Sequence, residues 1–162
     1  MIIKEKKSTT VNKGEIKMSL VKEALESLAQ KGKLEHDCTI LGIKFVLEPL
    51  STEEQILADG IVDVESLKKK YGATEDFNTY ADTVGKYRTL AQLMFAVKKV
   101  NGASPVDLNA SLQEQFKQRL EFRDELSNLS TTIIDELTIN YRKLLNKQKD
   151  FFDNLEENVG KF

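Results

Sequence analysis

The sequence predicts a mainly α-helical fold, with one small N-terminal β-hairpin packed on a helical body and a long C-terminal helical segment. Apolar residues between positions 76 and 100 recur at spacings of three and four, the period of one helical face. Residues 111–157 contain neither proline nor glycine, so no helix breaker interrupts them. The whole chain has only 2 prolines and 8 glycines in 162 residues, fewer turn residues than an all-β fold requires.

Composition indicates an ordinary domain with its own core. Apolar residues make up 40% and charged residues 31%, which is typical of a soluble and helix-rich protein. The 24 basic and 26 acidic side chains give a net charge of −2, so no basic excess favours nucleic acid as a partner. A single cysteine excludes an internal disulfide framework. With no membrane-length apolar run and no signal-peptide core, we expect cytoplasmic synthesis and no membrane association.

The N-terminal region is predicted to be an arm followed by a helix. Residues 1–17 are polar and lysine-rich, and we expect them to form an extended arm. Ser19 is a candidate N-cap for a helix that ends at Gly32. Its apolar face consists of Leu20, Ala24, Leu25 and Leu28. This helix is either a surface helix of the domain, which we favour, or a detachable arm that packs on a neighbour.

Residues 38–47 are the best strand candidate, because they are rich in β-branched and aromatic side chains. Gly42 divides them and makes either a tight hairpin or a bulge. Alternation places Ile43, Phe45 and Leu47 on one face of the second half.

Two short helices are predicted after the hairpin. Ser51 and Glu54 have the spacing of a capping box, and the helix that they open should end at Gly60. A second helix is predicted over Val64–Tyr71, with the lysine run at positions 68–70 on its solvated face.

The apolar stripe at 76–100 predicts one central helix, and Asn101-Gly102 predicts a left-handed end for it. From Leu90 onward apolar residues point in most directions, so we expect Met94 and Phe95 in the core. The resulting division is an arm at 1–17, a helical domain with the hairpin at 18–102, and a C-terminal long helix or helix pair at 103–162.

The C-terminal segment is predicted to start at Ser104-Pro105, with Asp107 or Asn109 as alternative caps. It forms either one helix or two, with a break between Ser127 and Thr132. We expect its second half to overhang the domain and to serve as an interaction surface. The predicted interaction residues are Ile133, Leu137, Tyr141, Leu144, Phe151, Phe152 and Leu155. The competing interpretation is that this stripe closes the domain's own core.

No catalytic, cofactor-binding or metal-binding constellation emerges from the sequence. His36 is the only histidine, so no two-histidine metal motif exists. The four possible ligands at Glu35–Cys38 are consecutive, and strand residues alternate between faces, so we favour a structural role for them. We therefore expect a protein that is not an enzyme and that uses neither a cofactor nor a small-molecule substrate.

One stretch carries a family resemblance. The turn Pro49-Leu50-Ser51-Thr52-Glu53-Glu54 follows the strand GIKFVLE and precedes the helical stretch TYADTVGKYRTLAQLMFAVKKVNG. Over about residues 38–102 this pattern resembles the tail-assembly chaperones and baseplate hub proteins of tailed bacteriophages.

The resemblance implies a non-catalytic, hub-type structural subunit of a phage tail or baseplate. Its partners would be other tail proteins in a homo- or hetero-oligomer, and its location the virion, after synthesis in the host cytoplasm. The alternative is a transient tail-assembly chaperone or adaptor that shields a hydrophobic partner.

Overall fold

A computed structural model of the chain describes residues 13–62 and 77–159. The predicted helix Val64–Tyr71, its lysine run and most of the predicted arm lie outside the described residues. The chain divides into two compact units, Met1–Lys33 and Leu34–Phe162.

The described part of the first unit is helix α1, Lys13–Lys31. It begins before Ser19, which lies inside the helix instead of capping it, so positions 13–17 are helical and not extended. Leu20, Leu25 and Leu28 all have exposed side chains.

The second unit contains a three-stranded antiparallel sheet in the order β1-β2-β3. Strand β1 is His36–Ile40 and β2 is Ile43–Leu47, and they pair with Cys38 opposite Phe45. Leu41 and Gly42 connect them with φ of 49° and 82°, the left-handed pair that a two-residue hairpin turn requires. The predicted hairpin is therefore confirmed in its tight-turn form.

The three residues predicted to share one face of β2 differ in burial. Phe45 and Leu47 are buried, whereas Ile43 is exposed. Ile43 adjoins the turn at the end of the hairpin, where the core no longer covers that face.

Helix α2, Thr52–Ile61, opens with the predicted capping box. The Glu54 amide donates to Ser51 Oγ at 3.1 Å, and the Ser51 amide donates to Glu54 Oε1 at 3.0 Å. The helix passes through Gly60 and ends one residue later, because a single glycine lowers helix propensity without breaking the backbone ladder.

The predicted central helix is correct up to Ala96 and wrong beyond it. Helix α3 is Phe77–Ala96, and strand β3, Val97–Val100, follows without a connecting residue. β-Branched Val97 and Val100 suit a strand, and pairing with β2 places Phe45 opposite Val100. The apolar residues that point in most directions from Leu90 onward thus belong to two elements, the buried end of α3 and strand β3.

Asn101 and Gly102 are left-handed as predicted, with φ of 49° and 80°, but they turn a strand and not a helix. The Val100 amide donates to the Ala103 carbonyl at 2.8 Å, and the Ala103 amide returns the bond at 3.0 Å. The chain therefore reverses tightly at the end of β3.

A buried arginine, which no sequence pattern singles out, holds the α3–β3 junction. Arg119 Nη1 donates to the carbonyls of Met94 and Val97, both at 2.8 Å. Burial lowers the pKa of Arg119, and the nearby Glu54 carboxylate opposes that effect. Its cation lies at the carbonyl end of α3, where positive charge is favourable.

The C-terminal segment is two helices, so the second of the two alternatives is correct. Helix α4 is Leu112–Ser127 and α5 is Thr131–Val159. Neither Ser104, Asp107 nor Asn109 caps α4. Its N-cap is Ser111, whose Oγ accepts from the Glu114 amide at 3.2 Å.

The core lies between the sheet and the helices of the second unit. As expected, Met94 and Phe95 belong to it, and Phe95 stacks on Phe116 with ring centroids 6.4 Å apart. Its largest fully buried side chains are Leu47, Leu93, Met94, Leu137, Leu144 and Val97.

Candidate interaction surface

The first half of α5 faces the core. Leu137, Tyr141 and Leu144 are buried, and Ile133 is partly buried against the same cluster. Assigning Leu137, Tyr141 and Leu144 to an interaction surface was therefore wrong, because their side chains are already covered by this chain. For these residues the competing interpretation, closure of the domain's own core, is correct.

The core does not bury the side chains of the second half of α5. Gln148, Phe151 and Leu155 continue the core-facing direction of Leu144 at spacings of three and four, but none of them is buried. From Leu144 to Val159 the helix advances about 22 Å at 1.5 Å per residue. The predicted overhang is present.

We call Phe151, Phe152 and Leu155 the α5 end surface. Phe151 is half-buried, while Phe152 and Leu155 are 44% and 43% exposed. The two phenylalanine rings lie edge to face with centroids 5.7 Å apart. The three side chains thus present a contiguous apolar patch to solvent.

Two lysines flank this patch. Lys147 lies one turn before Phe151, and Lys149 lies three residues before Phe152. Asp150 and Asp153 fall on the opposite side of the helix, by their spacing. Between positions 147 and 155 the two lysines therefore lie nearer to the apolar patch than the two aspartates do.

His36 ties β1 to the start of the overhang. Lys147 Nζ donates to His36 Nδ1 at 2.9 Å, which assigns Nδ1 as the acceptor because an ammonium only donates. His36 Nε2 then donates to Asn140 Oδ1 at 3.0 Å. Both ring nitrogens are used within the fold, so the histidine has a structural role here.

The neighbouring stretch Glu35–Cys38 alternates between faces as expected, with His36 and Cys38 half-buried and Asp37 exposed. Among the described residues, no three His, Cys, Asp or Glu side chains converge to hold a metal ion. Burial raises the pKa of the Cys38 thiol, Asp37 adds to the rise, and Lys143 opposes it. A raised pKa keeps the thiol protonated near neutral pH, unlike the thiolate of a reactive cysteine.

A second cluster links Tyr141 of α5 to the turn before α2. Glu54 Oε2 accepts from Lys98 Nζ at 2.8 Å, which ties α2 to β3. Burial raises the pKa of Tyr141, a hydrogen bond with the Leu50 backbone opposes the rise, and Glu54 adds to it. This cluster anchors the buried part of α5, from which the α5 end surface projects.

Comparison with models of protein families, with curated proteins and with solved structures finds no match. No helix within the described ranges 13–62 and 77–159 combines the length and apolar character needed to cross a membrane.

Sequence reasoning missed the apolar seam of α1. It grouped Leu20 with Leu25 and Leu28, but Met18 and Val21 complete a regular three-four-three spacing with those last two. The sequence alone shows this spacing, and its stripe is narrower than the predicted face of Leu20, Ala24, Leu25 and Leu28.

Proposed function

We propose that this protein is a non-catalytic structural subunit that acts through protein–protein contacts. The observation that carries the proposal is the α5 end surface, where Phe152 and Leu155 are 44% and 43% exposed. Both lie beyond Leu144, the last buried residue among the described side chains of this helix. The apolar face of α5 continues past the core of its own domain. Covering such a face with another surface removes it from water and lowers the free energy.

We further propose that the assembly is a bacteriophage tail or baseplate and that the subunit is of the hub type. The support is the resemblance of residues 38–102, centred on the turn Pro49–Glu54 between β2 and α2. On this proposal the protein is located in the virion, and its partners are other tail proteins.

Charge substitution at the α5 end surface tests the contact. Phe152→Asp combined with Leu155→Asp should abolish oligomer or partner binding in sedimentation, because a charge buried in an interface without a partner is costly. The helical circular dichroism should be unchanged, since neither side chain belongs to the core.

Ile139→Asp is the matched control. Ile139 lies on α5 with 43% exposure, close to that of Leu155, but its spacing places it away from the α5 end surface. Binding should survive this change. Equal loss of binding in both variants, or loss of helicity in the double variant, would contradict the proposed contact.

The protein content of purified phage particles that carry this gene tests the assignment to the tail. A stoichiometric amount of the chain in finished virions supports a permanent subunit. Presence during assembly but absence from the particle supports a transient tail-assembly chaperone. Absence from both would refute the phage assignment.

A further inference from the structure

Besides the α5 end surface, the chain carries another exposed apolar stripe, on helix α1, which we call the α1 seam. It consists of Met18, Val21, Leu25 and Leu28, at spacings of three, four and three. This is the pattern of positions a and d in a coiled coil, where two helices meet. The four side chains are 71%, 52%, 60% and 63% exposed.

The charges around the seam are segregated. Lys17 and Lys22 occupy the two positions beside it, g and e of the heptad. Glu23 and Glu26 occupy the outward positions f and b. Between Lys17 and Gln30 the side of α1 that bears the seam therefore carries cations and no carboxylate.

This arrangement does not favour a second copy as the occupant. In a parallel pair, Lys17 of one copy would face Lys22 of the other, which is repulsive. In an antiparallel pair that overlaps all four seam residues, Lys22 of one copy would face Lys22 of the other, which is again repulsive. Neither orientation supplies the opposite charge.

A lipid surface is also a poorer match than a protein. Helices that lie on anionic membranes carry lysine or arginine on the outward face and aromatic residues on the apolar one. Here the outward face carries Glu23 and Glu26, and Lys17–Gln30 contains no aromatic side chain.

We propose that α1 is a docking helix for a different protein, one that presents an apolar groove with carboxylates along its rim. The seam supplies four anchors of the kind used in helix-in-groove recognition. Lys17 and Lys22 pair with the acidic rim and set the orientation. This surface belongs to the first unit and does not depend on the α5 end surface.

Two synthetic helical peptides serve as probes for the full-length chain. Both carry leucine at every a and d position; one has glutamate at every e and g position, and the other has lysine there. Fluorescence anisotropy at low salt should show tighter binding of the glutamate peptide, by at least about tenfold. Lys17→Glu combined with Lys22→Glu should reverse the preference.

Leu25→Asp should abolish binding of the glutamate peptide. Leu112→Asp should preserve it, because Leu112 is also an exposed leucine, at 81% against 60% for Leu25, but lies outside α1.

Four results would overturn the proposal. The first is equal binding of both peptides. The second is a change of sedimentation in Leu25→Asp without peptide, which would assign the seam to self-association. The third is a lower melting temperature of Leu25→Asp, which would mean that the seam packs within the chain. The fourth is seam-dependent binding to anionic vesicles without binding to the glutamate peptide.

Discussion

Phe95 belongs to the core of the second unit. Its side chain is 4% exposed and stacks on Phe116. Phe95→Ala should lower the free energy of unfolding by about 3–5 kcal/mol, through lost transfer energy and a residual cavity.

Urea unfolding measures this loss, and Phe152→Ala is its control. Phe152 is exposed, so its truncation should cost less than about 1 kcal/mol. If Phe95→Ala also costs less than about 1 kcal/mol, Phe95 does not hold the core together.

Tyr141 should make stability depend on alkaline pH. Burial raises its pKa above the ordinary value of about 10, so the phenol ionises first in the unfolded chain. Its contribution to stability is complete below the unfolded-state pKa and is lost as pH rises through the folded-state pKa. Tyr141→Phe should therefore lose less stability between about pH 9 and pH 11 than the parent chain.

Urea midpoints across this range provide the measurement. Both chains should carry Cys38→Ser, because the pKa of Cys38 is also raised and would add its own loss. Identical pH profiles for the two chains would contradict a buried, neutral Tyr141.

At the scale of elements, two turns offer an internal comparison. Leu41-Gly42 and Asn101-Gly102 adopt nearly the same backbone, with φ of 49° and 82° against 49° and 80°. Asparagine tolerates the left-handed region, whereas leucine is strained there. Leu41→Asn should therefore stabilise the protein by about 1 kcal/mol in urea unfolding.

Asn101→Leu is the reciprocal change and should destabilise by more than Leu41→Asn stabilises. The Asn101 side chain also accepts a hydrogen bond from the Lys44 amide at 2.9 Å, which leucine cannot replace. If Leu41→Asn lowers stability, the exposed Leu41 side chain contributes more than its backbone strain costs.

Elements were predictable where the signal is local. The hairpin and the capping box depend on residues within a few positions of each other, such as Ser51 and Glu54. The start of β3 was not predictable in this way, because Val97 leaves the helix to pair with Leu47, which is distant in the sequence. Ser111 was preceded by three plausible caps, and local chemistry does not rank them.

At the scale of the whole molecule, the core belongs to the second unit. Every member of the core cluster lies between Phe45 and Leu144, outside Met1–Lys33. Deleting residues 1–33 should therefore leave the melting temperature within a few degrees of the full chain, a shift of less than about 1 kcal/mol. Differential scanning calorimetry measures it, and early unfolding of the truncated chain would assign α1 a share of the core.

The candidate surface was only partly predictable at this scale. Periodicity identified the apolar face of α5, but it does not reveal where a covering core stops. Leu144 and Leu155 occupy the same stripe, and only the folded chain distinguishes the buried residue from the exposed one. The α1 seam was readable from spacing alone, but its exposure was not.

The direct passage from α3 into β3 has a mechanical consequence. No loop residue separates Ala96 from Val97, so a change of φ and ψ at the junction falls on these two terminal residues. Arg119 also clamps the carbonyls of Met94 and Val97 on either side of the junction. A force applied along β3 is therefore passed directly to α3, and a change of the angle between the two elements strains the two hydrogen bonds of Arg119.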